Sequence, residues 1–110
     1  MITTHVLDTA RGRPAVGVPV ALERATDDGW ELVGSGATDG DGRLRDLVAD
    51  GGSVADGRYR LTFDTGAYFR ERGEAAFYPE VAVVFTVAGD EHHHVPLLLS
   101  PFGYSTYRGS

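Results

Sequence analysis

Val81–Val87 reads VAVVFTV, and after Ala88–Gly89–Asp90–Glu91 the run His92–Leu99 reads HHHVPLLL. The first is the most strand-prone segment of the chain, because β-branched and aromatic residues pack well on a pleated surface. The second predicts a strand directly after it, across a Gly-Asp break. Strands that follow one another without a long helix between them point to antiparallel all-β architecture rather than to βαβ units.

Working outward, the same punctuation recurs. Tyr59, Leu61 and Phe63 alternate with Arg58, Arg60 and Thr62, which predicts a strand with one wet face. Thr65–Gly73 (TGAYFRERG) predicts a short helix closed by Gly73, two turns packed on a sheet edge. Upstream, Ile2–Leu7 is a strand, Arg11–Pro14 breaks it, and Val18, Val20 and Leu22 mark a second. Asp27–Gly29 is a turn, Trp30–Ala37 a third strand weakened by Gly34 and Gly36, and Thr38–Gly42 a tight Asp-Gly turn. Arg43–Leu47 then predicts a short strand, Ala49–Gly57 a loop, and Gly103–Tyr107 a last short strand. Seven or eight strands and one short helix imply an antiparallel sandwich or barrel, folded as a single domain over residues 1–110.

Composition narrows the function classes. A chain of 110 residues with 42% hydrophobic content is one domain with one core. It has no Cys, which excludes disulfides, thiolate nucleophiles, iron–sulfur clusters and cysteine-ligated zinc. Ten basic against sixteen acidic residues leave a net charge of −6, which opposes non-specific binding to nucleic acid or anionic membranes. No apolar run is long enough to span a bilayer, so no membrane partner is expected. Met1–His5 has neither a basic segment nor an apolar signal region, and with the missing Cys this sets the expectation of a cytoplasmic protein.

Four His carry the chemistry: His5, His92, His93 and His94. On a strand His92 and His94 share a face and His93 points away, so two imidazoles enter any pocket that face lines. Imidazole suits proton transfer near neutral pH. The competing readings are a solvated strand start, or a metal pair completed by His5, Asp8 or Glu91, although no HExxH spacing supports a metal. Asp39–Gly40–Asp41–Gly42 begins like a calcium loop but runs into Arg43 and Leu44 with no closing Glu, so it reads as a turn. Arg43 stands just beyond that turn, where a guanidinium can hold a planar acceptor or an anion with two parallel bonds; a surface ion pair is the bland reading. Tyr68, Phe69, Phe77 and Tyr78 predict an aromatic cluster in core or interface. No phosphate-cradling loop and no GxSxG elbow occurs. The tail Pro96–Ser110 is too aromatic for a frayed end, which predicts an ordered terminus that brings Tyr107, Arg108 and Ser110 near a shared site.

Three blocks then carry a resemblance over essentially the whole chain. They are Thr4–His5–Val6–Leu7–Asp8–Thr9 with Gly12–Arg13–Pro14–Ala15, then Thr38–Asp39–Gly40–Asp41–Gly42–Arg43, and then His92–Ser100 with the terminal Tyr104–Ser110. Phe77–Tyr78–Pro79–Glu80 fits between them. The chain resembles the 5-hydroxyisourate hydrolases, the enzymatic branch of the transthyretin-like proteins. The resemblance implies a sandwich of two four-stranded sheets with one short helix. It also implies a homotetramer, a dimer of dimers whose active sites open into the channel between dimers. By motif it places catalytic roles on His5, Arg43 and His94, and substrate contacts on His92, Thr106, Tyr107, Arg108 and Ser110. The implied partner is a small purine-derived substrate, 5-hydroxyisourate, hydrolysed to 2-oxo-4-hydroxy-4-carboxy-5-ureidoimidazoline without cofactor or metal. The alternative is a non-catalytic carrier of small aromatic ligands such as thyroid hormones, the other branch, which lacks the first-strand His and the YRGS tail. One departure stands out: the usual His-Tyr-His reads His92–His93–His94 here. His93 points off the shared face, so the expectation is little effect on chemistry, but an altered subunit contact carrying a pH-sensitive group.

Overall fold

The structure, a computed structural model, describes residues 1–49 and 53–110; residues 50–52, within the loop expected at Ala49–Gly57, lie outside the described residues. Its strands are β1 (Ile2–Asp8), β2 (Arg13–Pro14), β3 (Pro19–Thr26), β4 (Gly29–Ala37), β5 (Arg43–Leu44), β6 (Gly57–Phe63), β7 (Val81–Val87), β8 (His93–Ser100) and β9 (Gly103–Thr106), with one helix, α1 (Thr65–Glu71). One sheet runs β4-β3-β6-β7 and the other β2-β1-β8-β9, with β5 also paired to β1. This is the expected transthyretin-like sandwich of two sheets with one short helix.

Three expectations need correction. The sandwich is not wholly antiparallel, because β1 and β8 pair in parallel from Ile2↔His93 to Asp8↔Leu99. Chain-distant strands can pair in either sense, and alternation along each strand does not encode which. The strand expected over Arg43–Leu47 ends at Leu44, and Leu47 turns into the core at 1% exposure. β2 was not expected, since Arg13–Pro14 sits in what reads as a break. It pairs through Leu7↔Pro14 and Asp8↔Arg13 while β5 pairs through Thr4↔Leu44 and His5↔Arg43, so the two short strands follow one another along one edge of β1. Val6 joins them: its N–H donates to the Gly42 carbonyl at 2.8 Å and its own carbonyl accepts from Ala15 N–H at 2.9 Å.

Between the sheets, the inward positions of β1 (Ile2, Val6), β3 (Val20, Leu22), β6 (Tyr59, Leu61, Phe63) and β8 (Val95, Leu97, Leu99) form the core. The helix is capped by Asp64, whose carboxylate accepts from Ala67 N–H at 3.0 Å, and Gly73 beyond its end adopts φ +68°. The aromatic cluster divides. Tyr68 and Phe69 are buried, and the Tyr68 hydroxyl donates to Asp8 Oδ2 at 2.7 Å. Burial first, and then the bond to Asp8, push Tyr68 up to about 12. Phe77 and Tyr78 instead stay on the surface with Tyr104, edge-to-face at 5.0 and 5.3 Å between ring centres. Among the described residues no helix is long and apolar enough to cross a membrane.

Candidate active site

Alternation on β1 directs Ile2, Thr4, Val6 and Asp8 into the core and leaves Thr3 and His5 on the outer face. The parallel register sets His94 beside Thr3 and Pro96 beside His5 on that same face. The antiparallel register with β5 sets Arg43 beside His5. Three segments far apart in sequence thus deliver His5, Arg43 and His94 to one side of one sheet. The turn before β5 is held by Asp39, whose Oδ1 accepts from Asp41 N–H at 2.9 Å and Arg43 N–H at 3.0 Å. Those two backbone bonds hold the Asp39 carboxyl below the usual carboxylate range. This is the turn the sequence predicts, and it anchors the backbone from which the Arg43 guanidinium extends.

A cleft of about 290 Å³ opens on this face, lined by Met1, Thr3, Thr4, Arg43, Arg45, His92, His94 and Ser110. His92 lies one residue before β8, yet its ring stands 6.1 Å from that of His94, as the shared-face reading requires. Both rings meet the buried Thr3 hydroxyl, His92 through Nε2 and His94 through Nδ1, each at 2.7 Å. His5 Nε2 lies 2.9 Å from the Asp41 carbonyl. A carbonyl only accepts, so this nitrogen carries a proton and donates it. Burial pushes His94 below the ordinary imidazole value of 6.5, and positive charge on His92, Arg43 and His5 adds to the shift. His94 is therefore a neutral imidazole at pH 7, in the state a general base needs.

The structure brings Arg43, His92, His94 and Ser110 together and sets His5 beside them. It does not bring Thr106, Tyr107 and Arg108 into this cleft. They line a second cleft of about 330 Å³, with His93, His94 and Val95, facing Val83–Thr86 of β7. The reason is register: Thr106 pairs with Leu97, an inward position, and its hydroxyl is used on the Pro96 carbonyl at 2.7 Å. Arg108 turns to Glu91 at 2.9 Å. The tail is nonetheless ordered onto the site, because Gly109 N–H donates to the His94 carbonyl at 2.9 Å. His93 points off the face shared by His92 and His94, as predicted, and is 5% exposed, so within the chain it is a buried residue. Its Nδ1 has no hydrogen-bond partner among the described residues.

Sequence reasoning missed Thr3, Arg45 and Gly109. Thr3 and Arg45 each lie two residues from a predicted site residue on an expected strand, and that spacing was the available signal. Gly109 stood in the YRGS tail, but with no side chain to mark a role of its own. The third metal ligands considered are committed elsewhere: His5 to the Asp41 carbonyl, Asp8 to Tyr68 and Glu91 to Arg108. Among the described residues no three His, Asp or Glu side chains converge as metal ligands would.

A model of the HIUase/transthyretin family matches residues 2–109. A curated 5-hydroxyisourate hydrolase from Salmonella dublin is 47% identical over 111 residues, covering 100% of this chain and 81% of that protein. Among solved structures, 5-hydroxyisourate hydrolase of Klebsiella pneumoniae superposes with TM-score 0.88 at 37% identity, covering 99% of this chain and 92% of that one. Sea bream transthyretin in complex with thyroxine superposes with TM-score 0.90 at 34% identity, covering 98% and 93%. The fold is thus shared by both branches, and the side chains in the cleft must separate them.

Proposed function

The chain belongs to the HIUase/transthyretin family, and from that premise we propose that it hydrolyses 5-hydroxyisourate in urate degradation, with His5, Arg43 and His94 as its catalytic residues. The observation that carries this reading is the convergence of a neutral, half-buried His94 with His92, Arg43 and Ser110 on one cleft, beside His5. A carrier needs a channel of suitable shape; it does not need paired imidazoles next to a guanidinium.

The substrate is a flat bicycle rich in carbonyl and N–H groups, and hydrolysis opens its six-membered ring at an acyl C–N bond. Arg43 binds a substrate oxygen through two parallel N–H bonds and offsets the negative charge that grows there. His94 takes a proton from water as the water oxygen bonds to the acyl carbon. The C–N bond then breaks, and the departing nitrogen receives a proton from the imidazole pair. Ser110 and His92 line the same cleft and contact the ring. No side-chain nucleophile is needed. Tyr107 and Arg108 sit in the second cleft of the isolated chain, and their substrate contacts are proposed for the homotetramer, in which a neighbouring copy can face them. The cytoplasm is the compartment proposed, in keeping with a chain that has no Cys to oxidise.

The test is an ultraviolet time course. Urate is oxidised in situ by urate oxidase, and decay of the 5-hydroxyisourate absorbance is followed with and without the protein. Acceleration proportional to protein is expected. His5→Ala or His94→Ala should slow it by roughly 100- to 10,000-fold with circular dichroism unchanged. Arg43→Lys should also fail, since an ammonium cannot reproduce the planar fork. Decay at the spontaneous rate would overturn the hydrolase reading in favour of the carrier.

A further inference from the structure

The Thr3 side chain is 3% exposed and lies between two imidazoles, with Oγ1 2.7 Å from His92 Nε2 and 2.7 Å from His94 Nδ1. A hydroxyl carries one proton and two lone pairs, so Oγ1 can donate to only one of these rings, and the other ring must donate to it. When the hydroxyl proton goes to one ring, Oγ1 accepts from the other, and that choice fixes both tautomers together. Among the described residues no hydrogen bond engages His94 Nε2, the nitrogen left to act on the cleft.

We propose that Thr3 is a positioning residue that locks both imidazoles in the Nδ1–H tautomer, with His94 donating from Nδ1 to Thr3 Oγ1 and Thr3 donating to His92 Nε2. His94 Nε2 then holds a lone pair, ready for the proton of the attacking water. The opposite assignment would put a proton on Nε2 and disable the base. Surrounding contacts favour the first. His92 is the exposed ring, so water can meet its Nδ1–H, whereas a proton on Nε2 of the half-buried His94 would have no acceptor among the described residues. An imidazole side chain free in water prefers its proton on Nε2, so Thr3 holds both rings in the less favoured form. The Thr3 methyl cannot do this, which separates the hydroxyl's role from simple packing.

The kinetic part of this inference rests on the hydrolase reading; the tautomer part does not. The experiment is long-range ¹⁵N–¹H correlation of the His ring nitrogens at about pH 8, above the ordinary imidazole value, on wild type, Thr3→Val and Thr3→Ser. Wild type should show His94 and His92 both protonated on Nδ1. Thr3→Val keeps the shape without the hydroxyl and should shift both rings toward Nε2–H, while Thr3→Ser should keep the wild-type pattern. In parallel, kcat/KM for 5-hydroxyisourate should fall roughly 10- to 100-fold in Thr3→Val and recover in Thr3→Ser. The pH profile is set by the charged groups around His94, namely His92, His5, Arg43 and Arg45, and its shape should survive in Thr3→Ser. A wild-type His94 protonated on Nε2, or a His94 tautomer unchanged in Thr3→Val, overturns the proposal even if the protein hydrolyses the substrate. Nδ1–H tautomers in a protein without turnover would leave the lock standing and remove only the hydrolase reading.

Discussion

At the scale of single residues, the environment of His94 makes two predictions. Its folded pKa lies below the ordinary 6.5 because burial disfavours the charged ring, with repulsion from His92, Arg43 and His5 added. The unfolded chain therefore binds a proton that the folded chain refuses. The stability His94 contributes is full above pH 6.5 and is lost as pH falls through the folded value. The acid limb of kcat/KM should likewise fall below pH 6.5, measured across a buffer series; a limb above it would contradict the assignment of His94 as base. The second prediction concerns Gly109. A Cβ there would lie 2.5 Å from His94 Cδ2 and 3.1 Å from Pro96 Cγ. Gly109→Ala should push the ring off Thr3 and cost about 100-fold in kcat/KM, with Tm nearly unchanged because the contact lies at the chain's end. Gly109 is a residue the sequence did not single out, since its importance is the space it leaves empty.

At the scale of elements, β1 is the spine of the site, and the turn before β5 is its clamp. Gly42 has φ +76°, and a Cβ there would lie 2.6 Å from the Val6 carbonyl oxygen and 2.9 Å from Pro14 Cβ. Gly42→Ala should cost roughly 1–3 kcal/mol and misplace Arg43, so both Tm and activity should drop. On the other side of β1, the buried Asp8 depends on the Tyr68 hydroxyl. Tyr68→Phe keeps the packing but leaves a carboxylate oxygen short of a donor, at about 1–3 kcal/mol by denaturant unfolding. Activity per folded molecule should stay close to wild type, because Asp8 faces the core and the cleft lies on the opposite face. The Asp-Gly turn, the short helix closed by Gly73 and most strand positions were legible here, because turn residues and two-residue alternation act locally, although the strand expected to run to Leu47 ends at Leu44. The two-residue β2 was not legible, because only its pairing with Leu7 and Asp8 makes it a strand.

At the scale of the whole molecule, each sheet ends on an edge strand that has no further partner among the described residues. β7 pairs with β6, and β9 pairs with β8. Unpaired strand edges invite pairing with another copy. Large apolar side chains stand exposed near these edges, with Val84 on β7 at 53%, Tyr107 after β9 at 56%, and Phe102 between β8 and β9 at 72%. These features support the proposed homotetramer, and light scattering coupled to gel filtration should give a mass near four times 11.8 kDa. A monomer at micromolar concentration would remove the assembly and, with it, the shared site proposed for Tyr107 and Arg108. His93, expected at a subunit contact, faces the second cleft from within the chain. Its burial follows from the same alternation that turns His92 and His94 outward.

What the sequence determined by itself was whatever depends on neighbours along the chain. Period-two alternation sorted each strand into inward and outward faces, separated His93 from His92 and His94, and marked the Asp39–Gly42 turn that anchors Arg43. Motif blocks identified the family. What only the tertiary structure decided was which outward faces meet. The parallel pairing of β1 with β8 lays His94 beside Thr3, and the antiparallel pairing with β5 lays Arg43 beside His5. Register between distant strands is chosen by the packing of a shared core, in which Ile2, Val6, Val95 and Leu97 must all be covered at once. No local signal carries that choice, and so the Thr3 bridge and the contact of Gly109 with His94 emerged only in three dimensions.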